Sequence, residues 1–484
     1  MLRRFVLTLA ACAAFAPCQS MAQSMTNLTH QAPDGAIVEF QLTDGTVLVQ
    51  GFGEQDFWKL TPDNKGSYQN GTWTQVASLP ADYSPYAQAE GVFADGRVII
   101  SGGEYNFDQF AFTNQSAIYD PLTNKWTELA PPKGWTNIGD SPAMVTADNK
   151  FLVGYKFKKK MAYLDPATLT WVKAKSKHKN DEHAEEGWTL LPDGSILTYD
   201  VQGHPQSERY FPGTGEWKSE GSTVVDLRGA QNCCGRCIHY GPKNKCYDPP
   251  GEVGSAILRP DGTVFATGAI PDGESTAHTA VWTPPAQGEN QGHWAAGPDF
   301  PNGDQAFDTG GSLLPNGNVL TEGSSGQLYE FDGTILKREN FNGGGNSMMV
   351  LPTGEILIGG FAVYKSTGTY NQAWAPTVTS APSSVNRGST YQISGTQFNG
   401  LSNANAFGDE FDTRTNYPLV RITNNSTGHV FYAKTHDHST MGVATGNATV
   451  STNFDVPSGT ETGASQLVVV ANGIPSTAVA ITVN

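Results

Sequence analysis

AEGVFADGRVIISGG, residues 89–103, consists of a short apolar strand, an Asp-Gly turn and a second apolar strand that ends in two glycines. Two apolar runs joined by Asp-Gly are the strongest short-range signal for a β-hairpin. Variants of this pattern recur along the first three quarters of the chain. The seven copies lie at residues 37–51, 89–103, 142–154, 187–200, 254–268, 310–323 and 347–360.

A third and a fourth strand are predicted after most of these hairpins. In the second copy, Tyr119 belongs to the third strand and Trp126 to the fourth, with Pro121 at the turn between them. Four antiparallel strands repeated about every 50 residues are typical of a propeller blade. The repeat therefore predicts an all-β fold in which residues 30–374 form a seven-bladed β-propeller.

The repeat stops after Trp374. Residues 375–484 show alternating apolar and polar positions with turns roughly every ten residues, which is typical of a β-sandwich. No stretch has the pattern of a long amphipathic helix. The sequence therefore predicts two β domains in a row.

The chain has 484 residues and a net charge of −16. Such an acidic chain lacks the basic face that binds phosphates, so nucleic acid is not an expected partner. Residues 1–22 are typical of a signal peptide, because Arg3 and Arg4 precede an apolar run and Ser20-Met21-Ala22 forms a cleavage site. We expect a secreted or periplasmic protein, and no later run is apolar enough to span a bilayer. The alternative is a lipid anchor on the outer surface, attached at Cys12.

Four cysteines cluster in an insertion at residues 228–250 of the predicted propeller. Clustered cysteines in an exported protein predict two disulfides, which would staple this insertion. Three pairings are open, and zinc binding is the alternative. The cysteines are Cys233, Cys234, Cys237 and Cys246.

Several motifs resemble those of known families. The glycine doublets at residues 102–103 and 359–360, with their spaced Tyr and Trp, resemble kelch repeats. The segments NYPLVR (416–421), THDH (435–438) and NGIPS (472–476) are similar to the C-terminal immunoglobulin-like domain of galactose oxidase and glyoxal oxidase. In that family a seven-bladed kelch propeller precedes this domain. The resemblance therefore implies a kelch-like propeller followed by an immunoglobulin-like β-sandwich at residues 375–484.

The same resemblance implies a copper ion held by two tyrosines and two histidines, with one tyrosine cross-linked to a cysteine. This sequence departs from that ligand set. Gly344-Gly345 stand where the family has its adjacent Tyr-His pair, no cysteine lies at residues 37–39, and Tyr86 is one residue out of register. Only His436 or His438 has a counterpart in the family. The sequence lacks most of the copper-radical ligands, and a shared fold does not by itself transfer chemistry.

Carboxylates recur at the start of the first strand in several copies, and these starts meet at one mouth of a propeller channel. Such a ring can bind a divalent cation, hold a cationic substrate, or supply a general acid and base. The alternative is a set of solvated loop acids and strand caps. The acids are Glu39, Glu90, Asp140, Glu185, Glu186, Glu252 and Asp308.

Two histidine segments are candidate metal sites. His183 lies close to Glu185 and Glu186, although a structural histidine is the alternative. His436 and His438 point to one side of an extended segment, next to a carboxylate, and form a half-site for zinc or copper. In the resembled family a loop of the C-terminal domain enters the channel, which would bring these two histidines to the acids. The alternative is a loop that anchors the two domains by hydrogen bonds.

Lysines concentrate at residues 156–160 and 173–179. Their alternation with apolar residues predicts solvated strand faces, with a patch for an acidic polysaccharide as the alternative. Trp188 and Trp294 are expected to pack between sheets, and stacking on a sugar is their alternative role.

These observations predict a metal-dependent enzyme that acts on a carbohydrate or on a small alcohol or aldehyde, and the resemblance implies that such an enzyme would be an oxidoreductase. Its metal would be copper, zinc or calcium, and a monomer is expected. The alternatives are a non-catalytic protein that binds a glycan or a surface partner, and a structural protein whose acids bind calcium. The predicted catalytic residues are Glu185, Glu186 and His436, and the predicted metal ligands are His183, Glu252, Asp308, His436 and His438.

Overall fold

The computed structural model describes residues 23–230, 238–240, 245–247, 250–408, 410–411 and 413–484. The predicted signal peptide at residues 1–22 lies outside the described residues, as do Cys233, Cys234 and Cys237. Cys246 is disulfide-bonded, and the pairing of the four cysteines stays a prediction. Among the described residues, no helix reaches the length and hydropathy that a membrane span requires.

The described residues between Ser24 and Lys365 include seven antiparallel sheets, numbered 1 to 7 in chain order; each has four strands from this region, and sheet 6 gains a fifth from Asn405–Phe407. Sheets 1 to 4 are built from Val38–Gln41, Val47–Gln50, Phe57–Thr61 and Thr72–Gln75; Ala89–Val92, Val98–Ser101, Ser116–Asp120 and Lys125–Leu129; Ala143–Val145, Phe151–Tyr155, Lys158–Asp165 and Thr170–Lys173; and Thr189–Leu190, Ile196–Tyr199, Gln206–Phe211 and Glu216–Ser222. Sheets 5 to 7 are built from Val253–Leu258, Val264–Gly268, Thr279–Thr283 and His293–Ala296; Gly310–Leu313, Val319–Glu322, Gln327–Phe331 and Leu336–Asn342; and Met348–Val350, Ile356–Ile358, Ala362–Lys365 and Ser24–Asn27.

The Asp-Gly turns form the predicted hairpins. In sheet 2, Gly96 has a φ of +86°, a backbone conformation that a residue without Cβ adopts at little cost. The backbone N–H of Arg97 donates to the Asp95 carboxylate at 3.0 Å, so the aspartate caps the turn. Sheets 1, 4 and 5 repeat this hydrogen bond, which explains why Asp recurs in the sequence pattern.

The first strand of each sheet lies deepest and the fourth lies at the surface. Val38–Gln41 is entirely buried, whereas Thr72–Gln75 is mostly exposed. The first strands lie against each other in sheets 2 and 3, 4 and 5, 5 and 6, 6 and 7, and 7 and 1. The apolar core therefore runs between the sheets.

Sheet 7 combines the two ends of this region. Ser24–Asn27 pairs antiparallel with Ala362–Lys365, so the start of the described chain supplies the outer strand of the last sheet. This strand precedes the predicted domain boundary at residue 30. It lacks the repeat pattern, because it is a lone strand without a hairpin partner in sequence.

Residues 377–483 form a nine-stranded sheet assembly with its own apolar core, which includes Phe398, Ile422 and Phe454. Its strands are Thr377–Ser380, Ser384–Val385, Thr390–Thr396, Leu419–Asn424, Val430–His436, Val450–Asp455, Gly463–Ala471, Ile474–Pro475 and Val479–Val483.

Shorter elements complete the described fold. Asn405–Phe407 leaves the nine-stranded assembly and pairs with the first strand of sheet 6. The remaining elements are a three-stranded sheet of Pro85–Tyr86, Tyr105–Asn106 and Gln109–Phe110, a hairpin of Ile238–Tyr240 and Lys245–Tyr247, and 3₁₀ turns at Pro301–Gly303 and Gln372–Trp374.

Candidate functional site

Loops that flank the first strands of sheets 2 and 6 meet at one end of the sheets. Tyr86 precedes the first strand of sheet 2, and Tyr105 follows the second strand after the glycine doublet. The start of one antiparallel strand lies beside the end of the next, so these two tyrosines pair, with ring centroids 5.8 Å apart. Phe411 brings the C-terminal region to the same place, 5.3 Å from the Tyr86 ring.

Four carboxylates act on Tyr86 from different parts of the chain. Burial is the largest effect on the Tyr86 phenol and raises its pKa to about 12. The negative charges of the four carboxylates raise this pKa as well. The phenol is therefore protonated at neutral pH and available as a hydrogen-bond donor. We call the following six residues the mouth cluster: Glu54, Tyr86, Glu104, Tyr105, Asp308 and Glu410.

A cavity of about 290 Å³ opens beside the mouth cluster. Aromatic rings and carboxylates line it together, since Phe52, Tyr86 and Tyr105 face it alongside Glu54 and Asp108. Phe52 is 64% exposed and Tyr86 is 39% exposed, although large apolar side chains are usually buried. Aromatic faces pack against the C–H faces of ring compounds, and carboxylates accept hydrogen bonds from hydroxyl groups. The cavity is thus suited to a polyhydroxylated ring.

Two acids of the mouth cluster titrate near neutral pH. Burial raises the pKa of Asp308 to about 7, and the charges of Glu185 and Glu104 raise it further while Lys156 opposes them. Burial likewise raises the pKa of Glu104 to about 7. Asp308 Oδ1 is shielded from solvent and accepts no hydrogen bond from the described residues. Carboxyl groups of this kind can give and take protons at pH 7.

Glu185, predicted as catalytic, lies behind the mouth cluster in an ion-pair network. Its carboxylate is 2.6 Å from Lys156 Nζ and accepts a hydrogen bond of 2.5 Å from the Tyr247 hydroxyl. Asp140 contacts the same ammonium group. Burial disfavours the charge on Lys156, but Asp140 and Glu185 raise its pKa well above the ordinary value. The Glu185 carboxylate is therefore held in place by Lys156 and Tyr247. A catalytic role for Glu185 stays a prediction.

Glu186 and His183 belong to a second buried group around Lys179. Three carboxylates there bring oxygens within 4.8 Å of one another, the spacing of a metal site. The Lys179 ammonium lies among them, 3.0 Å from Glu186, 3.7 Å from Asp200 and in contact with Asp181. An internal cation therefore already balances these acids.

His183 is fully buried, and its Nδ1 lies 2.6 Å from the Glu186 carboxylate. Burial and the charge of Lys179 hold its pKa well below the usual range, so the imidazole is neutral. The prediction that lysines 156–160 and 173–179 are solvated is wrong for Lys156 and Lys179, which are both buried. The side chains of Lys156 and Lys179 turn inward because carboxylates at the strand starts balance the charge of their ammonium groups.

Other predicted acids have structural contacts. Glu39 is buried, contacts the Ser347 hydroxyl and accepts a hydrogen bond of 3.0 Å from the Gly360 N–H, so it joins sheet 1 to sheet 7. The Glu252 backbone carbonyl accepts from the Gly229 N–H at 2.7 Å. Trp188 is buried in the core, which contradicts a stacking role for it. The Trp294 indole N–H donates to Ser207 between sheets 5 and 4.

His436 and His438 lie at the other end of the sheets from the mouth cluster. The backbone N–H of the neighbouring Thr435 donates to Thr43, at the Asp-Gly turn of sheet 1, which is the far end of its first strand. His436 Nδ1 lies 2.7 Å from Asp437, and His438 Nδ1 lies 2.8 Å from Thr452. The expected meeting of these histidines with Glu185, Glu186, Glu252 and Asp308 is therefore not seen among the described residues.

Sequence reasoning missed Glu54, Glu104, Tyr105 and Glu410. Glu104 and Tyr105 directly follow the Gly102-Gly103 doublet at the end of a strand, so a search of strand ends as well as strand starts would have found them. Glu410 comes from the C-terminal region. Only the tertiary pairing of Asn405–Phe407 with sheet 6 brings it to the site.

Comparisons with known proteins bear on the fold. No protein-family model matches the chain. Kelch-like protein terF of Aspergillus terreus is 30% identical over 125 residues, which span 25% of this chain and 25% of that protein. A fungal alcohol oxidase of the AA5 family, solved in complex with copper, covers 96% of this chain and 99% of its own, with 12% identity and a TM-score of 0.50. A streptogramin B lyase structure has a TM-score of 0.45 and 11% identity, and the match covers 72% of this chain and 98% of the lyase.

The described fold is all-β, and its repeated four-stranded sheets agree with both the kelch-like relative and the alcohol oxidase. A shared architecture at low sequence identity shows that two proteins have a similar fold. It does not show that they catalyse the same reaction. The chain therefore shares an all-β, propeller-like fold with the alcohol oxidase, and a quarter of its length is similar to the kelch-like protein.

Proposed function

We propose that this chain is an exported protein that binds a carbohydrate at the mouth of its propeller channel. In this proposal the seven sheets are seven blades closed around the channel, and residues 375–484 form an immunoglobulin-like domain. The contact between sheets 7 and 1 and the N-terminal strand in sheet 7 support the closed ring. The basic start of residues 1–22 and the apolar run that follows it support export.

The single observation that carries carbohydrate binding is the mixed lining of the 290 Å³ cavity. Phe52 and Tyr86 expose ring surface toward this cavity. Glu54 and Asp108 add carboxylates beside these rings. An aromatic platform next to fixed hydrogen-bond groups recognises sugars by stacking on one face and bonding hydroxyls at the edge.

The copper centre of the resembled family does not fit the residues of this site. The charged groups that act on Tyr86 are carboxylates from Glu410, Asp308, Glu104 and Glu54, with no imidazole among these groups. Copper sites of this kind need histidine nitrogen, whereas carboxylate and phenol oxygens suit hard cations such as calcium or magnesium. We therefore derive no copper chemistry from this site.

Catalysis on the bound sugar is a second candidate function. It is favoured by Asp308 and Glu104, whose pKa values of about 7 suit a general acid or base. This candidate requires that the sugar reach Asp308 from the cavity. A chromatographic assay for altered sugar, run with Asp308→Asn as the comparison, separates catalysis from simple binding.

The binding proposal predicts that Tyr86→Ala and Phe52→Ala lower carbohydrate affinity by about ten-fold each, because each removes one stacking face. A glycan array would identify a ligand, and calorimetry would measure the affinities. Leu122→Ala is the matched control, since Leu122 is an apolar side chain 72% exposed at a distant turn of sheet 2. The absence of any glycan ligand, or equal affinity for the Tyr86→Ala and wild-type proteins, would overturn the proposal. Binding that survives a chelator would favour the non-catalytic reading over a metal-dependent enzyme.

A further inference from the structure

We propose a second binding site, for an anionic polysaccharide, in a groove on the outer strands of sheet 3. This site is separate from the mouth cluster and does not depend on the function proposed above. We call it the lysine groove. Its lysines are Lys133, Lys159, Lys160, Lys173, Lys175 and Lys177.

The groove consists of two hollows that join. One, of about 150 Å³, is lined by Lys133, Trp135 and Trp171, and the other, of about 450 Å³, is lined by Lys159, Lys175 and Lys177. Both hollows are lined by Lys160 and Lys173, so they form one continuous surface. The third and fourth strands of sheet 3 build it, because the exposed start of the third carries Lys159 and Lys160 and the exposed end of the fourth carries Lys173.

The charge of this region is opposite to that of the whole protein. Residues 133–179 contain ten lysines and three aspartates, whereas the complete chain carries −16. Two of these lysines, Lys156 and Lys179, are buried against acids from outside the segment and add no charge to its surface. Among the described residues, Lys133, Lys160, Lys173 and Lys175 have no carboxylate within 4.0 Å, and Lys177 has one, Glu216 at 3.3 Å. A concentration of positive charges with few counter-ions attracts a polyanion.

A tryptophan favours a sugar polymer over other polyanions. Trp171 lines the narrower hollow and is only partly buried, whereas Trp135 packs in the core. The exposed part of the Trp171 indole can stack on a sugar ring. A membrane or a nucleic-acid duplex would extend beyond the groove onto acidic surface, which repels it. A single flexible chain of charged sugars fits within the basic strip.

The test is binding of heparin and polygalacturonate to the full protein, measured by calorimetry at several salt concentrations, with neutral dextran as the uncharged comparison. We expect binding of both polyanions that weakens as salt rises, and no binding of dextran. Lys160→Glu/Lys173→Glu should lower the affinity by about ten-fold or more, because two attractive charges become repulsive. Lys160→Arg/Lys173→Arg, which keeps the charge, should bind like the wild type.

Lys125→Glu is the matched control for a single Lys173→Glu variant, since both lysines are exposed on the fourth strand of adjacent sheets. Lys160→Gln/Lys173→Gln gives a milder variant if the reversal disturbs folding, which thermal melts would show. Equal affinity of the reversal variant and the wild type overturns the proposal, as does binding only to anionic phosphatidylglycerol vesicles or only to duplex DNA. Tyr86→Ala should retain polyanion binding. A loss of polyanion binding at the lysine groove can therefore be distinguished from a loss of carbohydrate binding at the mouth cluster.

Discussion

Lys179 has four carboxylates around its buried ammonium group, and none of its neighbours in sequence marks it as different from the exposed lysines nearby. Burial opposes its charge, but Glu186, Asp181, Asp200 and Glu208 hold its pKa well above the ordinary value. The ring of Trp217 adds a cation–π contact at 5.1 Å. One side chain thus neutralises acids that the fold brings together from separate loops.

We predict that Lys179→Met lowers the free energy of unfolding by about 3–5 kcal/mol, because the acids lose their internal cation. Urea unfolding followed by tryptophan fluorescence would measure the change. Lys125→Met, at an exposed position on sheet 2, should change stability by less than about 0.5 kcal/mol. Wild-type stability of the Lys179→Met protein would mean that the buried group does not depend on the ammonium charge.

Asn405–Phe407 is the element that fastens the C-terminal region to the sheets. Its three residues add a fifth strand to sheet 6. Asn405 is buried and accepts hydrogen bonds from the Ser312 hydroxyl at 2.7 Å and the Val350 N–H at 3.1 Å. Its amide donates to the Thr413 carbonyl at 2.6 Å. This side chain therefore ties together sheet 6, sheet 7 and the segment that carries Glu410.

Asn405→Ala should destabilise the protein by about 3 kcal/mol, because three buried polar groups lose their partner. The same variant should weaken any ligand that binds the mouth cluster, since Glu410 and Phe411 follow this strand. Thermal melts and the calorimetric assay would test both effects. Asn425→Ala, at an exposed position in the nine-stranded assembly, is the control. Unchanged stability of Asn405→Ala would show that the added strand is held mainly by its backbone pairing.

Across the whole molecule, buried carboxyl groups hold protons that the unfolded chain releases. Burial is the main cause in each case. The pKa rises to about 8 for Glu39 and Glu322, and to about 7 for Glu104 and Asp308. Between about pH 4.5 and 8 the folded state therefore binds more protons than the unfolded state, and stability falls as pH rises.

Buried histidines act in the opposite direction at lower pH. Burial lowers the pKa of His438 to about 3 and also lowers that of His183. Burying these neutral imidazoles costs nothing in protonation above about pH 6.5, where the unfolded chain is also neutral. Below about pH 6.5 the unfolded chain binds protons that the folded state does not, so stability falls as pH falls. The histidines therefore have no effect on the alkaline side, where the acids determine the slope.

We expect the free energy of unfolding to fall between pH 6.5 and pH 8.5, by at most about 1.4 kcal/mol per pH unit for each acid that stays protonated in the folded state. Urea unfolding at the two pH values would measure this. Glu39→Gln should reduce the difference, because the amide cannot lose a proton at this buried position, whereas Glu128→Gln on the exposed strand of sheet 2 should not. Stability that rises with pH over this range would contradict the assignment of protonated buried acids.

At the residue level, some roles could be read from sequence and others could not. Asp308 and Tyr86 were noticed because strand starts and a family motif pointed to them, and the structure brings both into the mouth cluster. Lys156 and Lys179 could not be recognised as buried, since their local pattern is that of surface lysines. Whether a lysine turns inward depends on carboxylates that arrive from distant loops, and local sequence does not contain this information.

Local sequence is enough to predict the repeated hairpins, the all-β class and the change of pattern near residue 374, because turn residues and two-residue periodicity are local properties. Long-range packing is needed to see which acids meet, that His436 and His438 lie at the opposite end from them, and that Glu410 reaches sheet 6. These outcomes depend on how separate sheets and the strand at 405–407 pack in space. The free energy of that packing comes from contacts between residues far apart in the chain.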